Sequence, residues 1–138
     1  MNRWAYCSKC HKIFETEMLH LKHEYGCDCP TVGCDGEAFG IDEEMLIPIA
    51  ILNDKGYETR WSCSGHVFDE HSREGYIAFS DQSTFPKTVP DGWYADEEYK
   101  AIRYQVPNKN AIFRRKAIVK HIDNLIEWAV KLPQNSLR

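Results

Sequence analysis

Apolar residues recur at helical spacing in two stretches of the chain. The first helix is predicted over residues 42–54, with Asp42 as its N-cap. Met45, Ile49 and Leu52 lie on the apolar side of this helix. The second helix is predicted over residues 111–132, and its apolar stripe comprises Ile118, Ile122, Leu125, Ala129 and Leu132. We expect this longer helix to cover a sheet.

Three segments between the helices have the composition of strands. They are residues 57–63, 76–80 and 100–106, which are rich in aromatic and β-branched side chains. Residues 81–92 are rich in Ser, Thr, Pro and Asp and predict a long surface loop. The expected fold class is therefore α+β, with a helix, a small antiparallel sheet of about three strands and a long C-terminal helix.

Six cysteines in a chain of 138 residues suggest metal ligation, because the N-terminus lacks the apolar run of a secretory signal. Cys7 and Cys10 form a Cys-x2-Cys pair similar to a rubredoxin-like knuckle, and Cys29 and Cys34 resemble the second knuckle of zinc ribbons. We predict that these four cysteines hold one structural zinc ion. Cys27 remains an alternative to Cys29 as the third ligand.

The predicted metal module covers residues 1–40, and residues 41–138 are predicted to form the compact α+β domain. A segment of about 35 residues buries too little apolar surface to fold unaided, and zinc can supply the missing free energy. His11, His20 and His23 are spare ligand candidates, although four cysteines already complete the usual coordination of zinc.

One segment outside the cysteine module has a specific pattern, Gly56-Tyr57-x-Thr59-x-x-Ser62-Cys63-Ser64-Gly65-His66. It is similar to a motif of small uncharacterised microbial proteins. More loosely, it resembles the tRNA wybutosine-synthesis methyltransferase family, whose Ser-Cys-Ser-Gly segment is usually followed by Arg, where this chain has His66. The resemblance implies a binding site at this turn and, through the methyltransferases, chemistry of the RNA-modification type.

From the residues alone, Ser62, Ser64, Gly65 and His66 suit an anion such as a phosphate or carboxylate. Backbone amides next to a glycine, two hydroxyls and an imidazole all offer hydrogen bonds. An ordinary hairpin entry, with both serines capping the turn, is the alternative. A second metal or nucleophilic site is a further alternative, and it would combine Cys63 and His66 with Asp69, Glu70 and His71.

A formal net charge of −4 argues against broad electrostatic attachment to nucleic acid. A local basic cluster on the last helix, comprising Arg114, Arg115, Lys116 and Lys120, either contacts phosphate or forms a solvated helix face. Trp61, Trp93, Tyr94 and Trp128 either stack on bases or belong to the core. No apolar stretch is long enough to span a membrane, so the cytoplasm is the expected location.

These features predict a zinc-containing binding protein that recognises a nucleic acid, a nucleotide or a partner protein. The alternative is an RNA-modification-type enzyme that uses the turn at residues 62–66 to bind a cofactor or phosphate. The sequence contains no complete set of acid, base and nucleophile, which favours the first class. It leaves the oligomeric state open.

Overall fold

The computed structural model describes residues 3–16, 26–68, 73–81 and 83–135. Its first sheet contains four short strands, β1 (Trp4–Cys7), β2 (Ile13–Glu15), β3 (Gly26–Asp28) and β4 (Glu37–Ile41). All pairings are antiparallel and the strand order is β2-β1-β4-β3. The pairing of the two central strands, β1 and β4, therefore brings together the two segments that carry the N-terminal cysteines.

The second sheet follows a 3-10 turn (Glu43–Met45) and helix α1 (Leu46–Asp54). Its strands are β5 (Thr59–Cys63), β6 (Glu74–Phe79), β7 (Tyr94–Asp96) and β8 (Ala101–Gln105), and their order is β5-β6-β8-β7 with antiparallel pairing throughout. Helix α2 (Ala111–Lys131) comes last. The α+β class is confirmed.

The predicted antiparallel pairing is confirmed, but the predicted count of one sheet with about three strands is wrong, because the described residues form two sheets of four strands each. Strand β7 has only three residues, one of them acidic, and therefore lacks a recognisable alternating pattern. The N-terminal strands have three to five residues each and are rich in Cys, Gly and Ala. Short strands of this composition are specified by cross-strand pairing more than by local propensity.

The two helices are capped differently. Asn110 accepts hydrogen bonds from the backbone N–H groups of Ile112 and Phe113 and so begins α2 as a standard N-cap. Asp42 occupies the predicted N-cap position, at the start of the 3-10 turn, but its side chain makes no capping hydrogen bond there. The Asp42 carboxylate instead accepts a hydrogen bond from the backbone N–H of Ser64, 22 residues further along the chain.

The main core lies between the second sheet and the two helices. The predicted apolar stripe of α2 is buried there, and the fully enclosed side chains include Tyr104, Met45, Ile49, Leu52, Ile77, Ile102 and Leu125. Tyr6 and Ile41 of the first sheet join this core. A smaller cluster of Ala5, Cys27 and Ala38, with Phe14 against it, lies within the first sheet.

Neither described helix combines the length and apolar character needed to cross a bilayer.

Candidate metal centre and ligand cleft

The first pair of cysteines lies on the turn between β1 and β2. Cys7 ends β1, and its backbone N–H donates to the carbonyl oxygen of Lys12 at 3.1 Å. The His11 N–H donates to the carbonyl oxygen of Cys7 at 2.7 Å, and His11 adopts a positive φ of 65°. The tight turn brings the Cys10 side chain back beside that of Cys7.

The second pair lies between β3 and β4. The Cys29 N–H donates to the carbonyl oxygen of Gly36 at 2.9 Å, and the Cys34 N–H donates to that of Thr31 at 3.0 Å. Gly36 is packed closely, because a Cβ atom there would lie 3.0 Å from Cys7 Sγ and 2.8 Å from Lys9 Cβ. Glycine at this position therefore lets the second turn approach the first.

Together the turns bring the sulfurs of Cys7, Cys10, Cys29 and Cys34 within 4.8 Å of one another. The separation is 3.8 Å between Cys7 and Cys34 and 3.6 Å between Cys10 and Cys29. Tetrahedral zinc with Zn–S bonds of about 2.3 Å would place its sulfurs about 3.8 Å apart. A disulfide needs an S–S distance of about 2.05 Å, and none of the six cysteines forms a disulfide. The cluster fits a metal ion of this size.

The third sulfur of the cluster belongs to Cys29. Cys27 is buried on β3 and packs with Ala5 and Ala38 instead. His11 lies outside the cluster, since its Nδ1 is 3.1 Å from Asp54 Oδ1 and its ring stacks on Tyr6. His20 and His23, the other spare candidates, lie outside the described residues.

The thiols of the first pair differ in acidity. Burial raises the pKa of the Cys7 thiol to about 12, and hydrogen bonds from the Cys10 and Lys9 backbones only partly oppose this effect. Burial also acts to raise the pKa of Cys10, but hydrogen bonds from Thr31, Lys12 and other cysteines outweigh it and lower the pKa to about 6. Cys10 therefore loses its proton more readily than Cys7, and the thiolate is the form of cysteine that binds a metal.

The predicted anion-binding turn at residues 62–66 lies at the end of β5. The Ser64 backbone N–H and hydroxyl both donate to Asp42 Oδ2, at 2.8 and 2.9 Å. The anion that Ser64 holds in the structure is thus a carboxylate of the same chain. Gly65 has a φ of +84°, and a Cβ atom there would lie 2.6 Å from Val106 Cγ2, so the turn requires glycine. The hydroxyl of Tyr104 donates to the Ser64 carbonyl oxygen.

Arg114 supports the same turn from helix α2. Its side chain is only 2% exposed, and its guanidinium donates to the carbonyl oxygens of His66, Val67 and Pro107 at 2.7, 3.0 and 3.2 Å. Arg114 therefore does not belong to an exposed basic cluster, because a buried guanidinium cannot contact an external phosphate. Arg115, Lys116 and Lys120 remain exposed.

A second group of ligand-type side chains lies beside the turn. Asp42, Cys63 and His66 each offer one atom, and these atoms lie within 4.8 Å of one another. The Cys63 sulfur is 3.5 Å from His66 Nε2. The sequence predicted a site of Cys63 and His66 with Asp69, Glu70 and His71, and that prediction did not include Asp42. Residues 69–71 lie outside the described residues.

These three residues line a cavity of about 440 Å³ between the two sheets. Phe39 of β4 and Trp61 of β5 meet edge to face at its rim, with ring centroids 4.9 Å apart. Ser62 also lines the cavity, whereas Ser64 and Gly65 do not. We refer to this cavity as the intersheet cleft. Its volume lies within the range of small-molecule sites.

The predicted surface loop at residues 81–92 lies away from the intersheet cleft, and none of its described residues lines the cavity. Phe85 packs edge to face on Phe79, and Thr88 accepts a hydrogen bond of 2.8 Å from the Trp128 indole. Trp93, which follows the loop, is buried and donates to the His121 carbonyl oxygen at 3.1 Å. The described part of the loop packs on the core and helix α2.

Comparison of the chain with family models, curated proteins and solved structures finds no match.

Proposed function

We propose that this protein is a zinc-containing binding protein whose intersheet cleft recognises a nucleotide. Cys7, Cys10, Cys29 and Cys34 would hold the zinc ion. Four thiolates fill its coordination, so the ion would stabilise the fold without taking part in chemistry. The N-terminal sheet would then serve as one wall of the binding site.

A metal ion in the first sheet is supported by the small amount of apolar surface that this sheet buries within itself. Its own cluster consists of Ala5, Cys27 and Ala38, with Phe14 partly buried beside them. Small side chains of this kind contribute little hydrophobic free energy, at about 25 cal/mol per Å² of buried apolar area. Structural zinc contributes roughly 10 to 16 kcal/mol in small modules, which exceeds that contribution.

The observation that carries the nucleotide proposal is the composition of the intersheet cleft. Trp61 is 42% exposed at its rim, and the Arg60 guanidinium lies 5.9 Å from the indole ring centroid. An exposed indole suits stacking with a nucleobase, and a guanidinium suits a phosphate. Ser62 and Asp42 add hydroxyl and carboxylate groups that can bond to a base or ribose.

Charge favours a small ligand over a long nucleic acid. The chain has a formal net charge of −4, and the buried position of Arg114 removes one cation from the surface. Non-specific attachment to a polyanion depends on many exposed cations. A single nucleotide needs only the local Arg60 and Trp61 pair.

Isothermal titration of the zinc-loaded protein with ribonucleoside mono- and triphosphates tests this proposal, with a short single-stranded RNA as a separate arm. Trp61→Ala is expected to weaken nucleotide binding by roughly tenfold or more, because stacking is worth about 1–3 kcal/mol. Tyr94→Ala is the matched control, since Tyr94 is 43% exposed on the same sheet but does not line the cleft.

The control variant should bind like the wild type. Equal weakening by both substitutions, or no binding of any nucleotide or of the RNA at millimolar concentration, would contradict the proposal. Binding of the RNA alone would identify an unpaired nucleotide of a longer chain as the ligand.

A second candidate is an enzyme of the RNA-modification type, and one observation favours it. Ser62, Cys63 and His66 of the motif turn all line the same cleft. A cofactor bound in the cleft would therefore contact the Cys63 thiol and the His66 imidazole. Titration with S-adenosylmethionine tests this candidate, which is abandoned if the wild type fails to bind it and His66→Ala leaves nucleotide binding unchanged.

A further inference from the structure

The cluster of Asp42, Cys63 and His66 is assembled from three parts of the chain. Asp42 follows the last residue of β4, Cys63 ends β5, and His66 lies on the turn beyond it. One carboxylate oxygen, the sulfur and one ring nitrogen lie within 4.8 Å of one another. Three different metal-binding groups therefore converge on one point, separate from the four-cysteine cluster.

Hydrogen bonds from two neighbouring residues hold parts of this cluster in place, and all three of its residues line the intersheet cleft. Ser64 fixes the Asp42 carboxylate through Oδ2. Arg114 fixes the backbone of His66 by donating a hydrogen bond to its carbonyl oxygen. Such outer contacts orient metal ligands and are needed for affinity.

The distance between the two softer ligands agrees with a specific metal geometry. Tetrahedral zinc, with a Zn–S bond of about 2.3 Å and a Zn–N bond of about 2.0 Å, places the sulfur and nitrogen about 3.5 Å apart. The Cys63 sulfur and His66 Nε2 are 3.5 Å apart. Thiolate and imidazole together favour zinc over magnesium or calcium, which prefer oxygen ligands.

We infer that Asp42, Cys63 and His66 form a second zinc site, with one coordination position open to the intersheet cleft. Three protein ligands leave a place for water or for an atom of a bound molecule. The four-cysteine site is closed and structural, whereas this site faces the cavity where a ligand would lie. Zinc would bind to these three residues whether or not the cleft also accepts a nucleotide.

Zinc protection of Cys63 from alkylation tests this inference. The full-length protein, with its four-cysteine site loaded, is treated with iodoacetamide over a series of free zinc concentrations, and modified Cys63 is measured by peptide mass mapping. In the wild type, added zinc is expected to slow alkylation of Cys63. His66→Ala should raise the zinc concentration for half-protection by at least about tenfold, because it removes a ligand.

His11→Asn is the matched control, since His11 is an exposed histidine that belongs to neither cluster, and it should leave protection unchanged. His66 is exposed, and His66→Ala keeps the backbone carbonyl that accepts the hydrogen bond from Arg114, so the variant is expected to keep the fold. Circular dichroism checks this point. Zinc-independent alkylation of Cys63 in the wild type, with the four-cysteine site still protected, would overturn the inference, as would equal protection in His66→Ala.

Discussion

The guanidinium of Arg114, on helix α2, donates a hydrogen bond of 2.7 Å to the backbone carbonyl oxygen of His66, 48 residues earlier in the chain. The same side chain reaches the carbonyl oxygens of Val67 and Pro107. It therefore ties the last helix to the turn that carries the candidate site. Burial of a charged group is costly unless its hydrogen bonds are satisfied, and these carbonyls satisfy them.

Replacement of the Arg114 guanidinium is expected to destabilise the protein. In Arg114→Lys, a single ammonium cannot reach three carbonyl oxygens, and the free energy of unfolding should fall by about 3 kcal/mol. Urea denaturation of the zinc-loaded protein measures the change. Arg115→Lys is the control at the adjacent exposed position, with an expected change below about 0.5 kcal/mol. Similar urea midpoints for the two variants would contradict a stabilising role of the Arg114 hydrogen bonds.

Lys55 stabilises the other end of α2. Its ammonium donates to the carbonyl oxygens of Ala129, Val130 and Leu132 at 2.9, 2.6 and 2.6 Å. These carbonyls belong to the last turn of the helix or follow it, where a positive charge also favours the helix dipole. The contact joins the C-terminus of α1 to that of α2.

Lys55→Met keeps most of the side-chain volume but removes the charge, and should lower the free energy of unfolding by about 1–3 kcal/mol. Lys131→Met removes another lysine of the same region, one that makes only an exposed ion pair with Glu127. That control should cost about 0.5 kcal/mol or less. Thermal denaturation ranks the two variants, and a larger loss in Lys131→Met would refute the assigned role of Lys55.

The identity of the third thiol can be tested with a matched pair of substitutions. Cys29→Ala should reduce zinc affinity by orders of magnitude, because it removes a ligand of the four-cysteine cluster. Cys27→Ala should keep that zinc affinity and lose only about 1 kcal/mol of stability from its packing with Ala5 and Ala38. Competition with a chromophoric chelator measures both affinities. The reverse pattern would place Cys27 in the metal centre.

The helical parts of the fold were predictable because long amphipathic segments carry a clear period. The stripe of α2 from Ile118 to Ala129 is buried as predicted. The first sheet was not predictable in the same way, since its strands have three to five residues. Their pairing depends on contacts between distant segments, such as Cys7 with Ala38. No short turn joins these two strands, so turn geometry does not fix their register as it does in a hairpin.

Some residues of the candidate site were also predictable from local sequence, whereas others depend on contacts between distant segments. The cysteine spacing located the four-sulfur cluster, because metal-binding turns have short and regular spacing. Asp42 was missed, since an acidic residue just before a helix has the usual appearance of a cap, and its partner Ser64 is 22 residues away. Arg114 appeared to belong to a solvated basic run. Its position four residues before Ile118 and eight before Ile122 placed it on the buried face, and that signal would have identified it.

The most direct test of the account is a native mass spectrum of the protein purified without chelator, because the zinc ion proposed for the four-cysteine cluster would support the sheet that forms one wall of the intersheet cleft. The wild type is predicted to retain bound zinc, and Cys34→Ser is predicted to lose the ion of the four-cysteine site. A folded wild-type protein that carries no zinc, or a Cys34→Ser variant with an unchanged zinc content, would contradict the account.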